Sequence, residues 1–272
     1  MSKTSVVIAG CAGRMGRALA REVIACPTLD LAGGFEIPSS PALGEDLGVL
    51  AGMGAVGLTV DRAPERALAD AAVLIDFTTP QASLANARAA AESGVALVLG
   101  TTGMSVAEID EIEAHARRIA IIRSGNFSLG VNLLAALVEE AARRLPDDYD
   151  IEIIEAHHRD KIDAPSGTAL MLGEAAARGR DVDLSARAVT ARAGANARRK
   201  AGEIGFASVR GGGVVGEHNV IFAGTQEIVT LSHGAIDRAL FAKGAVAAAR
   251  FIAGKPAGLY TMRDVLGFAG KR

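Results

Sequence analysis

An apolar run that ends in a glycine loop and passes at once into a helical pattern leaves a chain few ways to fold, and this chain opens with that combination. Ser5-Val-Val-Ile-Ala9 is the run, Gly10-Cys-Ala-Gly-Arg-Met-Gly16 the loop, and Arg17 to Ala25 a helical pattern stopped by Pro27. A run apolar at every position predicts a strand covered on both faces. The glycines predict a turn tight enough to start a helix packed back along that strand. Leu29-Asp-Leu-Ala-Gly-Gly-Phe35 predicts the second strand, with Glu36 at its end, 20 residues after Gly16. In that order of elements a dinucleotide's pyrophosphate meets the loop and a ribose hydroxyl meets the acid. The middle position of the G-x-G-x-x-G pattern is Ala12, with Gly13 following.

The alternation continues through Gly57-Leu-Thr-Val60, a helix after Pro64, the run Ala72 to Phe77, a helix from Pro80 to Ser93, the run Val95 to Leu99, a helix from about Ser105 to Arg118 and the run Ala120 to Arg123. Repeated units of this kind predict an α/β fold with a doubly wound, parallel Rossmann-type sheet. Leu43 to Gly57 reads as a long connector. Ligands bind such sheets at the carboxyl ends of the strands, which singles out Phe77-Thr-Thr-Pro80, Gly100-Thr-Thr-Gly103 and Ser124-Gly-Asn-Phe127. Their small and amide side chains would let a flat ring lie close to the backbone.

An amphipathic helix from Gly130 to Arg144, then the break Leu145-Pro-Asp-Asp-Tyr149, predicts a domain boundary near Gly130. Beyond it the strands are shorter: Arg187 to Thr190, Ile204 to Val209, Val214 to Phe222 and Glu227 to Ser232. They predict a second, α+β domain on a mixed or antiparallel sheet. The helix Ile236 to Ala253 and the segment Gly258 to Leu266 are expected to return to the first domain. The domains are then 1–129 plus 241–272, for dinucleotide binding, and 130–240, for substrate binding and oligomerisation.

The densest chemistry lies in Glu155-Ala-His-His-Arg-Asp-Lys-Ile-Asp-Ala-Pro-Ser-Gly-Thr-Ala169. Ile151-Glu-Ile-Ile-Glu155 reads as a strand, so His157 and His158 at its end should point to opposite sides. Pro165 stops the strand, and Ser166-Gly-Thr168 opens a helix to Arg178 whose first N–H groups form an anion site. With His157, His158 and Lys161 they make a positive cup, suited to a compact substrate that carries carboxylates and needs a proton. His115 is expected to be exposed on its helix, and His218 and His233 to be structural near strand ends. No His/Asp/Glu spacing argues for a metal. The two cysteines, Cys11 and Cys26, read as structural.

With 272 residues, 50% hydrophobic, the chain can bury a sizeable core. No apolar run approaches the roughly 20 residues of a membrane span, and the start shows no signal-peptide pattern, so the cytoplasm is the expected compartment. A net charge of −2 gives no footprint for nucleic acid. Arg198-Arg-Lys200 is expected to be solvated or shaped for an anionic ligand.

The loop Gly10 to Gly16, the Gly100-Thr-Thr-Gly103 and Ser124-Gly-Asn-Phe127 loops, the Glu155 to Ala169 block, and the segments Ile204-Gly-Phe-Ala-Ser-Val-Arg210 and Val215-Gly-Glu-His218 together resemble the bacterial 4-hydroxy-tetrahydrodipicolinate reductase family, also called dihydrodipicolinate reductases. The resemblance covers the whole chain, and the His-His to Gly-Thr block is its most specific part. It implies NAD(P)H-dependent reduction of 4-hydroxy-tetrahydrodipicolinate to tetrahydrodipicolinate in the diaminopimelate route to lysine. It implies His157 and Lys161 as proton donors, with His158, Lys161, Gly167 and Thr168 holding the substrate's two carboxylates. Gly10, Cys11, Ala12, Gly13, Arg14, Met15, Gly16, Glu36, Gly100, Thr101, Thr102, Ser124, Gly125, Asn126 and Phe127 would line the cofactor. A homotetramer, assembled through the sheets of the second domain, is implied as well.

Members that use NADPH well often carry a basic residue directly after the acid of the second strand. Here that residue is Ile37, so NADH is expected to serve at least as well as NADPH, unless Arg14 reaches the 2′-phosphate. Two rival readings share the fold: a dinucleotide-binding sensor or assembly factor without turnover, and a reductase of another small cyclic acid.

Overall fold

The protein is described by a computed structural model over residues 3–268, so the last four residues of the expected return segment, 269–272, lie outside the described residues. The chain divides into two units, Met1–Ser128 with Ala239–Arg272, and Leu129–Arg238.

The first unit begins with β1 (Thr4–Ala9), α1 (Arg14–Ala25) and β2 (Leu29–Phe35), and continues through α2 (Leu47–Ala51), α3 (Pro64–Leu68), β3 (Val73–Asp76), α4 (Pro80–Ser93), β4 (Ala96–Leu99), α5 (Val106–Ala114) and β5 (Ala120–Arg123). The second unit supplies α6 (Leu129–Arg144), β6 (Asp150–His157), α7 (Gly167–Gly179), α8 (Leu184–Arg187), β7 (Ala188–Val189), β8 (Ile204–Arg210), β9 (Gly216–Ala223) and β10 (Ile228–Ala235). The chain then returns to the first unit as α9 (Ala239–Ile252), β11 (Gly258–Tyr260) and α10 (Met262–Val265).

The first sheet has six parallel strands in the order β11-β5-β4-β3-β1-β2. Val73–Asp76 and Ala96–Leu99 are buried at every position, as expected where helices cover both faces. Val7, Leu74, Leu97, Leu99 and Ile121 form one continuous core with Ile112 and Ala87. Each such side chain contributes on the order of 2 kcal/mol relative to an exposed one.

In the second unit the order is β10-β9-β6-β8-β7. β9 runs antiparallel to both β10 and β6, whereas β8 runs parallel to β6 and β7, so the sheet is mixed. The α6 and α7 side chains Leu134, Val138 and Leu172 pack on Ile151, Ile153, Phe206, Val220 and Phe222.

Several expectations are corrected. α1 starts at Arg14 rather than Arg17, because the turn is complete at Gly13 and the rest of the loop is already helical. The connector Leu43 to Gly57 contains α2. Asp46 nucleates it, accepting from the N–H groups of Gly48 (2.8 Å), Val49 (3.0 Å), Val56 (3.1 Å) and Gly57 (2.7 Å). Gly57 to Val60 is no ladder strand, since Thr59 makes only an isolated bridge with Asp46. Arg187 closes α8 and leaves a two-residue β7. α9 starts at Ala239 rather than Ile236, because β10 runs on to Ala235. His115 is half-buried, not exposed. Arg199 is paired with Asp150 (2.7 Å) and with Glu152 rather than solvated; Arg198 and Lys200 are exposed.

Candidate active site

In the first unit the functional candidates cluster at the carboxyl ends of the parallel strands. α1 starts without a side-chain cap and with no acidic residue in its first turn, so its amino end is open to an anion. A Cβ at Gly16 would lie 2.2 Å from the carbonyl oxygen of Gly10 and 2.6 Å from Cys11 Cα, so only glycine lets the helix sit this close to the loop. Glu36 accepts from the Ala12 N–H (3.0 Å), which ties the acid to the loop and leaves its second oxygen for another donor. Gly10, Gly13, Phe35 and Glu36 line a cavity of about 600 Å³ with Phe77, Thr78 and Thr79. An open helix start, glycines at positions 10 and 16 with no room for a side chain, and an acid beside them fit a dinucleotide.

Several of the remaining first-unit candidates have structural partners. Cys11 is 1% exposed, its Sγ 3.6 Å from the Phe35 carbonyl, and burial, then the charge of Glu36, push its thiol up to about 12. It is an inert packing residue, and Cys26 is likewise unbridged. Thr101 accepts from Ser83 Oγ (2.8 Å), while Thr102 is exposed. Ser124 Oγ donates to the Asn126 carbonyl (2.7 Å), and Phe127 turns its ring inward against Phe77, 5.1 Å between centroids. Of the expected cofactor residues, Gly10, Gly13 and Glu36 line the cavity; Arg14 and the loops at 100–102 and 124–127 are not among its lining residues. Asp76, fully buried, organises these strand ends by accepting from Thr78 N (2.8 Å), Thr78 Oγ1 (2.7 Å) and Asn86 Nδ2 (3.0 Å).

In the second unit the alternation of β6 decides the geometry. Ile151, Ile153, Glu155 and His157 share its buried face, so the phase that carries the core also carries a carboxylate and an imidazole. Glu155 is 1% exposed, and a buried charge needs partners. Parallel pairing sets Arg210 opposite His157, and its guanidinium grips Glu155 with two bonds of 2.7 Å. His157 Nδ1 lies 2.5 Å from Glu155 Oε2, and the Ser166 N–H donates to Oε1 (3.2 Å). Burial pushes the Glu155 carboxyl up, but the bonds from Arg210, His157 and Ser208 outweigh it and hold the group at about 2. An ionised Glu155 can only accept, so His157 Nδ1 carries a hydrogen and Nε2 is the nitrogen that exchanges protons. A Cβ at Gly216 would stand 3.0 Å from that Nε2, so the glycine keeps it clear.

His218 is 3% exposed and meets His157 edge-on, 5.1 Å between ring centroids. Burial, then the charge of His157, bring it down to about 4, so it is neutral at pH 7. Ser166 caps α7 by accepting from the Ala169 N–H (3.1 Å), which frees its hydroxyl hydrogen for His218 Nε2 (3.1 Å). Glu155, Arg210, Ser166 and His218 were not singled out from the sequence as site residues. The phase of Ile151 and Ile153 was a signal for Glu155 and the Ser-Gly-Thr helix start for Ser166; Arg210 and His218 depend on pairing between strands.

The remaining candidates sit in the loop after β6. Lys161 Nζ donates to Asp163 Oδ1 (2.8 Å), and Arg210 also reaches the Asp163 carbonyl (2.8 Å). The Lys161 bond, against the smaller effect of burial, holds Asp163 below the usual carboxylate range, helped by the Gly167 N–H at the start of α7. The expected positive cup therefore already holds a carboxylate of its own. Thr168 is half-buried in the same first turn. His158 is half-buried, its Nε2 accepting from Arg238 (3.2 Å).

Comparison with known proteins bears on both units. Residues 4–127 match the family profile described as "Dihydrodipicolinate reductase, N-terminus", and residues 130–266 the one described as "Dihydrodipicolinate reductase, C-terminus". The chain is 52% identical over 271 residues to the 4-hydroxy-tetrahydrodipicolinate reductase of Methylocella silvestris, with 100% of both chains covered. It is 54% identical over 265 residues to that of Caulobacter vibrioides, with 97% of each covered. The solved structure of a dipicolinate-bound dihydrodipicolinate reductase from Paenisporosarcina sp. TG-14 shares the fold, with a TM-score of 0.76 over 95% of this chain and 97% of that one, at 23% identity.

Proposed function

The chain belongs to the dihydrodipicolinate reductase family, and we propose that in the NAD(P)H-dependent reduction of 4-hydroxy-tetrahydrodipicolinate to tetrahydrodipicolinate His157 is the residue that delivers the proton. It is an oxidoreductase that takes a nicotinamide cofactor and a small-molecule substrate. A sensor without turnover is not favoured. The observation that carries the proton assignment is the pair Glu155–His157 locked by Arg210.

One hydride and one proton enter the substrate and one water leaves. The nicotinamide, when bound, supplies the hydride. What the protein adds is alignment and a proton. Glu155 fixes the imidazole with Nδ1–H inward and leaves Nε2 toward the substrate. Lys161, the alternative proton donor, and His158 with the first N–H groups of α7, at Gly167 and Thr168, hold the two carboxylates; an arriving carboxylate replaces Asp163 as the partner of Lys161. Gly10 to Gly16 receive the pyrophosphate and Glu36 the adenosine ribose; the loops at 100–102 and 124–127 follow the carboxyl ends of β4 and β5, which supports placing them beside the nicotinamide half.

Glu36 next to Ile37 supports NADH as a cofactor at least as good as NADPH, because a carboxylate accepts from ribose hydroxyls and repels a 2′-phosphate. A homotetramer built through the second unit's sheet is part of the same reading. The test of the reaction is turnover followed by NADH absorbance with enzymatically generated substrate, alongside other cyclic imines and with NADPH in parallel. Failure to oxidise either cofactor with that substrate would refute the reading, and a tenfold advantage for NADPH would refute the preference.

A further inference from the structure

The acid that ends β2 has no basic neighbour in sequence, yet it has one in space. The isolated parallel bridge Phe35↔Asp61, with the Glu36 N–H donating to the Asp61 carbonyl (2.9 Å), lays the segment after Asp61 alongside the end of β2. Glu36 and Arg62 are therefore in register, each one residue beyond the bridge. Both line the same cavity of about 600 Å³, together with Ile37, Pro38 and Pro64, while Arg14 does not line it. Asp61 attracts this guanidinium without a hydrogen bond or ion pair to it: its carboxylate accepts from the Arg62 N–H (2.7 Å) and the Ala63 N–H (3.0 Å) and faces Arg66 at 3.6 Å. Arg62 is exposed, and among the described residues its side chain has no hydrogen-bond or ion-pair partner.

From this juxtaposition we propose that Arg62 is the residue that admits a 2′-phosphate, supplying across the chain the cation that position 37 lacks, so that the protein accepts NADPH as well as NADH. A planar guanidinium can grip a phosphate with two parallel bonds and offsets the repulsion from Glu36. NADH, with hydroxyls there, uses Glu36 and gains nothing from Arg62. The inference rests on the dinucleotide reading of the first unit and assigns the charge to a residue outside the glycine loop.

Isothermal titration of 2′,5′-ADP and of 5′-ADP into the full-length protein tests it without turnover, with steady-state kinetics in both cofactors beside it. Arg62→Ala should weaken 2′,5′-ADP and cut kcat/KM for NADPH about tenfold or more, leaving 5′-ADP and NADH within about twofold; Arg62→Lys should recover part of the loss. Arg14→Ala should change both ligands alike. Equal losses for both ligands in Arg62→Ala, no loss at all, or a selective loss in Arg14→Ala instead would overturn the assignment, as would a wild-type protein that binds 5′-ADP and ignores 2′,5′-ADP. Absence of binding by the wild type to every adenosine ligand, NADH included, would instead refute the dinucleotide site itself.

Discussion

At the scale of single residues, the proposed chemistry turns on one imidazole nitrogen. His157→Gln keeps a polar side chain but removes the proton, and turnover should fall by roughly 100-fold or more with NADH affinity unchanged; wild-type turnover in that variant would refute His157 as the acid. Lys161→Ala should raise KM and lower kcat together, a loss on the order of 2–5 kcal/mol, because a bound carboxylate is left without its ammonium. Lys200, exposed in its loop, serves as the control and should change little on the same substitution. His218 makes a prediction about pH. Its folded pKa of about 4 lies below the ordinary 6.5, so below pH 6.5 the unfolded chain takes a proton that the folded chain refuses. Stability is then whole above pH 6.5 and declines as the pH falls toward 4, by at most about 1.4 kcal/mol per pH unit from this group. Urea midpoints between pH 7.5 and 4.5 should show a shallower decline in His218→Gln; identical slopes would mean that other groups govern acid sensitivity.

At the scale of elements, the contact between α1 and the glycine loop leaves no room for a side chain at position 16. A methyl at position 16 would strike the backbone of Gly10 and Cys11, which cannot swing aside as a side chain would. Gly16→Ala should cost about 1–3 kcal/mol of stability and weaken NADH binding, because the loop and the first turn of α1 must separate. Thermal denaturation and NADH fluorescence titration measure the two effects, and an unchanged dissociation constant would detach the loop from the cofactor. Element boundaries were legible wherever period and punctuation agreed: β2, α4 and β5 have the expected limits, with Pro80 opening α4 and Gly94 closing it in the left-handed conformation. α2 was not legible, because its five residues show no period and its stability comes from Asp46 gathering N–H groups from both ends of a loop.

At the scale of the whole molecule, the second sheet presents Ile154, Val209 and Ile221 on the face opposite the α6 and α7 core, with Val209 53% exposed. These residues support a homotetramer formed through that sheet, since apolar side chains on a sheet face are stabilised by covering. Sedimentation at micromolar concentration should give a tetramer, and Val209→Glu should shift it toward smaller species. A stable wild-type monomer would refute the arrangement. Among the described residues no helix is long and apolar enough to cross a membrane.

What the sequence by itself determined is whatever rests on local period and local stereochemistry. The alternation of apolar runs and helices specified a parallel sheet, the glycine loop specified a tight turn into an uncapped helix at the end of its first strand, and the His-Lys block put the densest titratable chemistry at the end of β6. Tertiary structure decided what those groups are bonded to. Arg210 reaches Glu155 because β8 runs parallel to β6, and His218 reaches the site because β9 lies beside β6 on its other edge. Arg62 reaches the cavity of Glu36 because a single bridge joins segments 26 positions apart. Strand pairing is chosen by the burial of the whole sheet, and no window of sequence short enough to show a period contains both partners.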